Sequence, residues 1–217
     1  MKKIVIFGAS SEQSIGLLVG RRLEQNGHRV VYTSRSGRSG RACDILNATS
    51  VAKLLRKEKP DCIIHAAGVW MRMEKLGKIT DWENIQRNIL AKSLGALTVL
   101  DCVLKSSPAP MVIVLGGPAV SGEARFAGFT VGNGALWGAV QFAAKHTPLQ
   151  VFYVEMPTIW PSAMMMSYSK TVSSATAQSV QAASASPLAV YKTINKILQG
   201  KYQSGARVLL GKKSHKI

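Results

Sequence analysis

Acidic residues are scarce in this 217-residue chain: 11 aspartates and glutamates stand against 28 lysines and arginines, and none of the acids falls in residues 161–217. The net charge of +17 predicts an anionic ligand or partner. Aromatic residues are also few, at 6%, and no basic stripe interleaved with them is present. Nucleic-acid binding is therefore not expected, and the tail lysines Lys212, Lys213 and Lys216 do not change that. Apolar runs such as Ile4–Phe7 and Met111–Leu115 are far shorter than the roughly 20 residues that cross a bilayer. The amino terminus lacks the apolar core and cleavage site of a signal peptide. The expectation is a cytoplasmic protein without a membrane partner. Cys43, Cys62 and Cys102 form no CxxC pair, which argues against a disulfide framework and a zinc site, and no other metal-ligand cluster stands out.

What is present is ordinary globular usage, 47% hydrophobic and 18% charged, in a length that suits one domain over residues 1–217. Lys2–Ala9 reads as a buried strand running into a Gly-Ala-Ser-Ser turn, and Ser14–Asn26 as a helix capped by Ser14 and stopped by Gly27. Arg29–Arg35 is a second strand, followed by a Gly/Ser/Arg loop and a short extended piece at Ala42–Ile45. Helices are expected over Thr49–Lys59, Asp81–Leu104, Val131–His146 and Pro187–Leu198. Between them lie buried runs at Asp61–Gly68, Met111–Leu115, Leu149–Glu155 and Arg207–Leu210. In the long helix, Trp82, Ile85, Ile89, Leu90, Leu97 and Leu100 mark the apolar stripe. Residues 162–186, rich in Ala, Ser, Met and Thr, read as a weakly packed flap over a site. The alternation predicts an α/β fold, a Rossmann-like doubly wound parallel sheet of about seven strands with helices on both faces.

Ligands of such sheets bind beyond the carboxyl ends of the strands, where strand order reverses. The first turn, Gly8-Ala9-Ser10-Ser11-Glu12-Gln13-Ser14-Ile15-Gly16, offers glycines for close backbone approach and free amides at a helix start for a pyrophosphate. At the end of the second strand, where an NAD-preferring protein carries an acid, stand Ser34, Arg35 and Ser36, with Arg38 and Arg41 behind. Arginine forks fit a phosphate, so NADP(H) is the expected cofactor. Asp44 suits the adenine amino group, with helix capping as the competing account.

His65-Ala66-Ala67-Gly68 resembles the Asn-Asn-Ala-Gly element of the short-chain dehydrogenase/reductase family, and Cys43-Asp44-Ile45-Leu46 resembles its adenine-contacting segment. The five residues between Gly8 and Ser14 resemble its divergent branch, which contains enoyl-acyl carrier protein reductases. Pro157-Thr158-Ile159 resembles the segment that packs on the nicotinamide, and Ser162 sits where a Thr often follows. Asn88 matches the Asn that supports a proton-relay water. The resemblance implies an NADP(H) site of Gly8, Ser10, Ser11, Ser14, Ile15, Gly16, Ser34, Arg35, Ser36, Asp44, Ile45, Ala66, Ala67, Gly68, Asn133, Pro157 and Ile159.

The family reduces carbonyls with a Tyr proton donor, a Lys that lowers its pKa, and an orienting Ser. Those positions hold Phe129, Asn133 and Gly117 here, and the wider spacing of the divergent branch finds Phe126 instead. Substitutes within the chain are Ser121, Glu123 and Arg125 in the Gly-rich passage, with Tyr153, Glu155, Tyr168 and Lys170 on or beyond the sixth strand. An arginine partner is the stronger reading for Glu155, and a satisfied core histidine for His65. Met164, Met165 and Met166 suit an adaptable apolar wall. Two function classes result. One is an oxidoreductase acting on an apolar carbonyl or conjugated small molecule through a non-standard site; the other is a cyclase-like non-redox enzyme or an inactive cofactor-binding regulator. Apolar residues such as Trp137 and Phe142, read as surplus to one core stripe, together with the family's habit, imply a homo-oligomer; the positive charge suits an acidic carrier protein.

Overall fold

The central strands of the sheet, Lys3–Phe7, Cys62–His65, Met111–Gly116 and Val151–Glu155, are short apolar runs paired on both edges and almost wholly buried. In the computed structural model, which describes residues 1–69, 77–119 and 127–210, the strands are β1 (Lys3–Phe7), β2 (Arg29–Ser34), β3 (Arg41–Ala42), β4 (Cys62–His65), β5 (Met111–Gly116), β6 (Val151–Glu155) and β7 (Arg207–Leu209). They pair in the order β3-β2-β1-β4-β5-β6-β7, all parallel. Parallel pairing demands crossovers. Helices α1 (Ile15–Gln25), α2 (Ala48–Glu58), α3 (Trp82–Leu104), α4 (Ala127–His146) and α7 (Pro187–Leu198) supply them, with α5 (Ala163–Ser169) and α6 (Ser174–Ala183) inserted after β6.

The side-chain period of two splits the strands between two cores. Val5, Phe7, Ile63, Val112 and Val114 pack with Val51 of α2, Val99 of α3 and Leu136 of α4. Ile4, Ile6, Ile64, Ile113 and Val154 pack with Val19 of α1 and Ile194 of α7. Cys43, Cys62 and Cys102 are buried and unpaired. The doubly wound architecture is thus as the sequence predicts. Strand order reverses at β1, which pairs with β2 on one side and β4 on the other.

Two helices differ from expectation. The covered face of α3 runs through Ile85, Asn88, Lys92, Ala96, Val99 and Val103, while Trp82, Leu90 and Leu97 of the expected stripe are exposed. The helix presents polar residues inward in its first half because that half borders a cavity. Helix α4 begins at Ala127, four residues before Val131, and its Gly132 serves close packing rather than termination. A Cβ on Gly132 would stand 3.0 Å from the Asn88 amide oxygen and 3.1 Å from Cδ of Lys92. Trp137 is a further correction: it rests on the Tyr153 ring at a centroid distance of 5.3 Å, partly buried against the core, whereas Phe142 is exposed. The segment expected as a flap is α5 and α6, and α6 buries no residue.

The turn after β1 is the tightest point at the reversal. Gly8 has φ +97°, and a Cβ there would lie 2.6 Å from the carbonyl of Ala66 and the amide nitrogen of Ala67. Both contacts are to backbone, which has no side-chain rotation to yield. Gly8→Ala is expected to destabilise the fold by about 2 kcal/mol or more, lowering Tm by roughly 5 °C in a thermal melt.

Candidate functional site

The dinucleotide half of the site is assembled by three loops. Ser14 caps α1, its Oγ accepting from the Leu17 amide at 3.4 Å and donating to the Ser11 carbonyl at 2.7 Å. This fixes the start of α1, where the amides and the positive dipole end face any anion brought over Gly8. Gly16 sits so close that a Cβ would meet the Gly8 carbonyl oxygen at 2.9 Å. Ser10 and Ser11 are exposed beside this turn.

At the carboxyl end of β2, Ser34 is buried and its Oγ has no partner. Arg35 and Ser36 follow it into solvent. Arg41 is committed elsewhere, its Nε lying 2.8 Å from Glu58, which also binds Lys3 at 2.9 Å. Asp44 does not cap α2; Asn47 does, accepting from the Ser50 amide at 3.0 Å. Asp44 Oδ1 holds the Leu46 amide at 3.0 Å, and the Ile45 side chain lies in the core against Gly95. The cradle at Gly8, the amides of α1 and the unpaired Ser34 hydroxyl fit a dinucleotide.

Beyond the reversal point lies a cavity of about 600 Å³, lined by Ile15, Ala66–Gly68, Leu115–Pro118, Phe129, Asn133, Met156–Ile159 and Ser162, with Met164 and Met165 as the methionine wall. It therefore unites Ile15, Ala66, Ala67, Gly68, Gly117, Phe129, Asn133, Pro157 and Ile159 of the sequence-predicted residues. Tyr168 and Met166 do not line it, and Glu155 is engaged by Arg207 through two hydrogen bonds of 2.7 and 2.8 Å. That pair clips β6 to β7 and leaves no free carboxylate for proton transfer. Asn88 is buried behind the wall, its Nδ2 donating to the Val69 carbonyl while Oδ1 stays unpaired. Ser121, Glu123, Arg125 and Phe126 lie outside the described residues, as do Lys212, Lys213 and Lys216. Among the described residues there is no cluster of His, Cys, Asp and Glu able to hold a metal, and no helix is long and apolar enough to cross a membrane.

Gly116 and Gly117 are small because their surroundings are full. A Cβ on Gly117 would stand 2.7 Å from Asn133 Nδ2, and one on Gly116 would collide with the Tyr153 hydroxyl. That hydroxyl donates to the Gly117 carbonyl at 2.6 Å. A serine side chain thus has no room here while Asn133 and Tyr153 hold these places.

One pocket residue is not among those the sequence points to. Lys92 of α3 is 7% exposed, and its Nζ donates to Asn133 Oδ1 while lying 5.7 Å from the centroid of the Phe129 ring. It is the sole charged residue among the described residues that line the cavity. Burial lowers its pKa to about 8. The available signal was its place four residues after Asn88 and four before Ala96, on one face of a helix.

His65 corrects another expectation. It shares the sheet face of Phe7 and Val114, is fully buried, and neither ring nitrogen has a partner. Burial, then the charge of Lys92, push its pKa from 6.5 down to about 4. The folded protein refuses a proton that the unfolded chain accepts, so the full stability present above pH 6.5 is lost as pH falls toward about 4. The expected loss is on the order of 3 kcal/mol. Denaturant titrations at about pH 7 and about pH 5 should show about 2 kcal/mol of it, and His65→Leu should lose distinctly less between them.

No curated protein matches the chain. Solved structures do, over nearly their whole lengths. The aldohexose dehydrogenase of Thermoplasma acidophilum, in ligand-free form, superposes with a TM-score of 0.78 at 14% identity, covering 96% of this chain and 92% of that one. ElxO with NADP bound gives 0.78 at 17% identity and 97% of both chains. A small-chain dehydrogenase in complex with NADPH gives 0.75 at 16% identity and 95% of both. These likenesses establish the fold expected from the resemblance to short-chain dehydrogenases/reductases. The family model described as NAD dependent epimerase/dehydratase matches residues 4–125, more than half of the sequence. With its glycine turn, its reversal point and its pocket inside or beside that span, the chain belongs to the NAD dependent epimerase/dehydratase family, of short-chain dehydrogenase/reductase type.

Proposed function

We propose that this protein is an NADP(H)-dependent oxidoreductase that reduces an apolar carbonyl or conjugated small molecule through a non-standard active site. The observation that carries the reading is the continuity of the glycine turn with the cavity. The Gly8 turn and the Ala66–Gly68 loop touch at the reversal point, and the Ala66–Gly68 loop lines the same cavity as Pro157 and Asn133. A dinucleotide laid along this line has its pyrophosphate at Gly8, Ser10, Ser11 and the start of α1, and its adenosine toward Ser34, Ser36 and Asp44. Its nicotinamide end lies by Ala66, Gly68, Asn133, Pro157 and Ile159. When bound, it supplies a hydride. The methionines and Phe129 keep the opposite wall apolar, which favours an apolar substrate.

Arg35 gives the reading its phosphate preference. It is exposed at the end of β2 and makes no ion pair among the described residues, unlike Arg41. A guanidinium at this position suits the additional phosphate that distinguishes NADP(H) from NAD(H). The exposed apolar residues Leu90, Leu94 and Leu97 of α3 and Val131 and Phe142 of α4 support a homo-oligomer.

Fluorescence titration is expected to show NADPH binding at least tenfold tighter than NADH. Arg35→Ala should weaken NADPH by about tenfold and leave NADH nearly unchanged. Equal affinity for the two nucleotides would defeat the NADP(H) assignment, and retained NADPH binding without turnover of any carbonyl or enone would favour the regulatory alternative. For assembly, Leu94→Glu with Phe142→Glu should shift the wild-type oligomer to monomer in sedimentation, and a wild-type monomer would refute it.

A further inference from the structure

Lys92 presents an unusual expense in the core. Its ammonium is buried with no carboxylate partner among the described residues, held only by a neutral amide oxygen and the face of a phenyl ring. Burying an uncompensated charge opposes folding. The fold nonetheless clears a path for it, because Gly132 omits a Cβ that would crowd Cδ at 3.1 Å and Gly68 omits one that would touch Cε at 3.5 Å. The path ends in the cavity, between the two α4 positions, Phe129 and Asn133, that lack a proton donor.

We propose that Lys92 is a catalytic residue, the proton donor that delivers hydrogen from Nζ to the substrate oxygen. The proposal rests on the oxidoreductase reading above. The carbonyl carbon forms a C–H bond with a hydride taken from the dihydronicotinamide, which is oxidised as the carbonyl is reduced. The π pair of the C=O bond moves to oxygen, and that oxygen takes one proton from Nζ. Lys92 is left as a neutral amine and regains its proton from water. Asn133 occupies one of the three N–H donors, which orients the other two. The cation–π contact with Phe129 favours the charged, proton-bearing form. A pKa of about 8 makes the ammonium predominant near neutrality and its loss of a proton inexpensive. The facing groups do not compete: His65 on β4 stays neutral, and Asn88 and Asn133 carry no charge.

The test uses the intact protein, with NADPH as cofactor and benzaldehyde, cinnamaldehyde and menadione as probes. Wild type is expected to bind and oxidise NADPH, with turnover falling about tenfold per pH unit above roughly pH 8. Lys92→Met should lower kcat by about 100-fold while changing NADPH affinity less than about threefold. Lys92→Arg keeps the positive charge but holds its proton too tightly, and should not restore turnover. In lysine-labelled protein, the Lys92 Cε resonance, assigned by its absence in Lys92→Met, should titrate near pH 8 and move on adding NADP. Lys92→Met should melt no lower than wild type, and Lys92→Gln replaces it if it fails to fold. Turnover of either Lys92→Met or Lys92→Arg within about threefold of wild type would overturn the proposal, as would a resonance that titrates with surface lysines and ignores NADP. Wild type that binds NADPH but oxidises it with none of the probes would also overturn it while leaving the cofactor site standing. Wild type that does not bind NADPH would instead bring down the oxidoreductase reading.

Discussion

The packing of backbone against backbone at the strand reversal is the constraint on which this molecule depends. Gly8 presses on Ala66 and Ala67, and Gly16 presses on Gly8, with no side chain between them. That contact sets the distance between β1 and β4 at their carboxyl ends and fixes where α1 begins. The same economy recurs at β5, where Gly116 and Gly117 yield their volume to Tyr153 and Asn133. Small residues at these strand ends create the concavity, and the large apolar residues farther back in the sheet keep it rigid.

Much of this was legible because the determinants are local. A buried aliphatic strand, a glycine turn, an N-capping serine and an amphipathic helix occur within some 25 residues at the amino terminus, and Ser14 caps α1 as its position implies. The strands of the carboxyl half were legible for the same reason, and the arginine partner favoured for Glu155 over a free base is found in Arg207, whose identity only the fold supplies. The interior polar groups were not legible. A lysine four residues after an asparagine reads as a solvated helix face, and only the packing of α4 against α3 turns it inward. His65 reads as a satisfied core histidine because buried imidazoles usually find partners, yet its surroundings on the Phe7 and Val114 face offer none. Trp137 likewise reads as surplus until Tyr153 of β6 is placed beneath it.

These polar groups have a common location. His65, Asn88, Lys92 and Asn133 come from β4, α3 and α4, and all are buried. Two of them retain unpaired atoms, and a third carries an unneutralised charge that adds to burial in keeping His65 neutral. A core selected for stability alone would replace such a group with aliphatic residues of equal volume. Its position at the inner wall of the cavity, rather than under the far ends of the helices, ties the energetic cost to the site.

On the proposed alignment, which sets Phe129, Asn133 and Gly117 at the family's tyrosine, lysine and serine positions, the three differences form one linked change rather than three separate ones. Asn133 accepts from Lys92 through Oδ1, and its Nδ2 fills the volume that a Gly117 side chain would need. A lysine at position 133 would set a second ammonium against the first, which a buried, carboxylate-free pocket cannot hold. A serine at position 117 would require the Asn133 amide to move aside, which disturbs the anchor of Lys92. The arrangement with an ammonium on α3 and the one with an ammonium on α4 therefore exclude each other sterically and electrostatically. Phe129 belongs to the first of them, since an aromatic face beside Lys92 stabilises the cation where no counter-ion can.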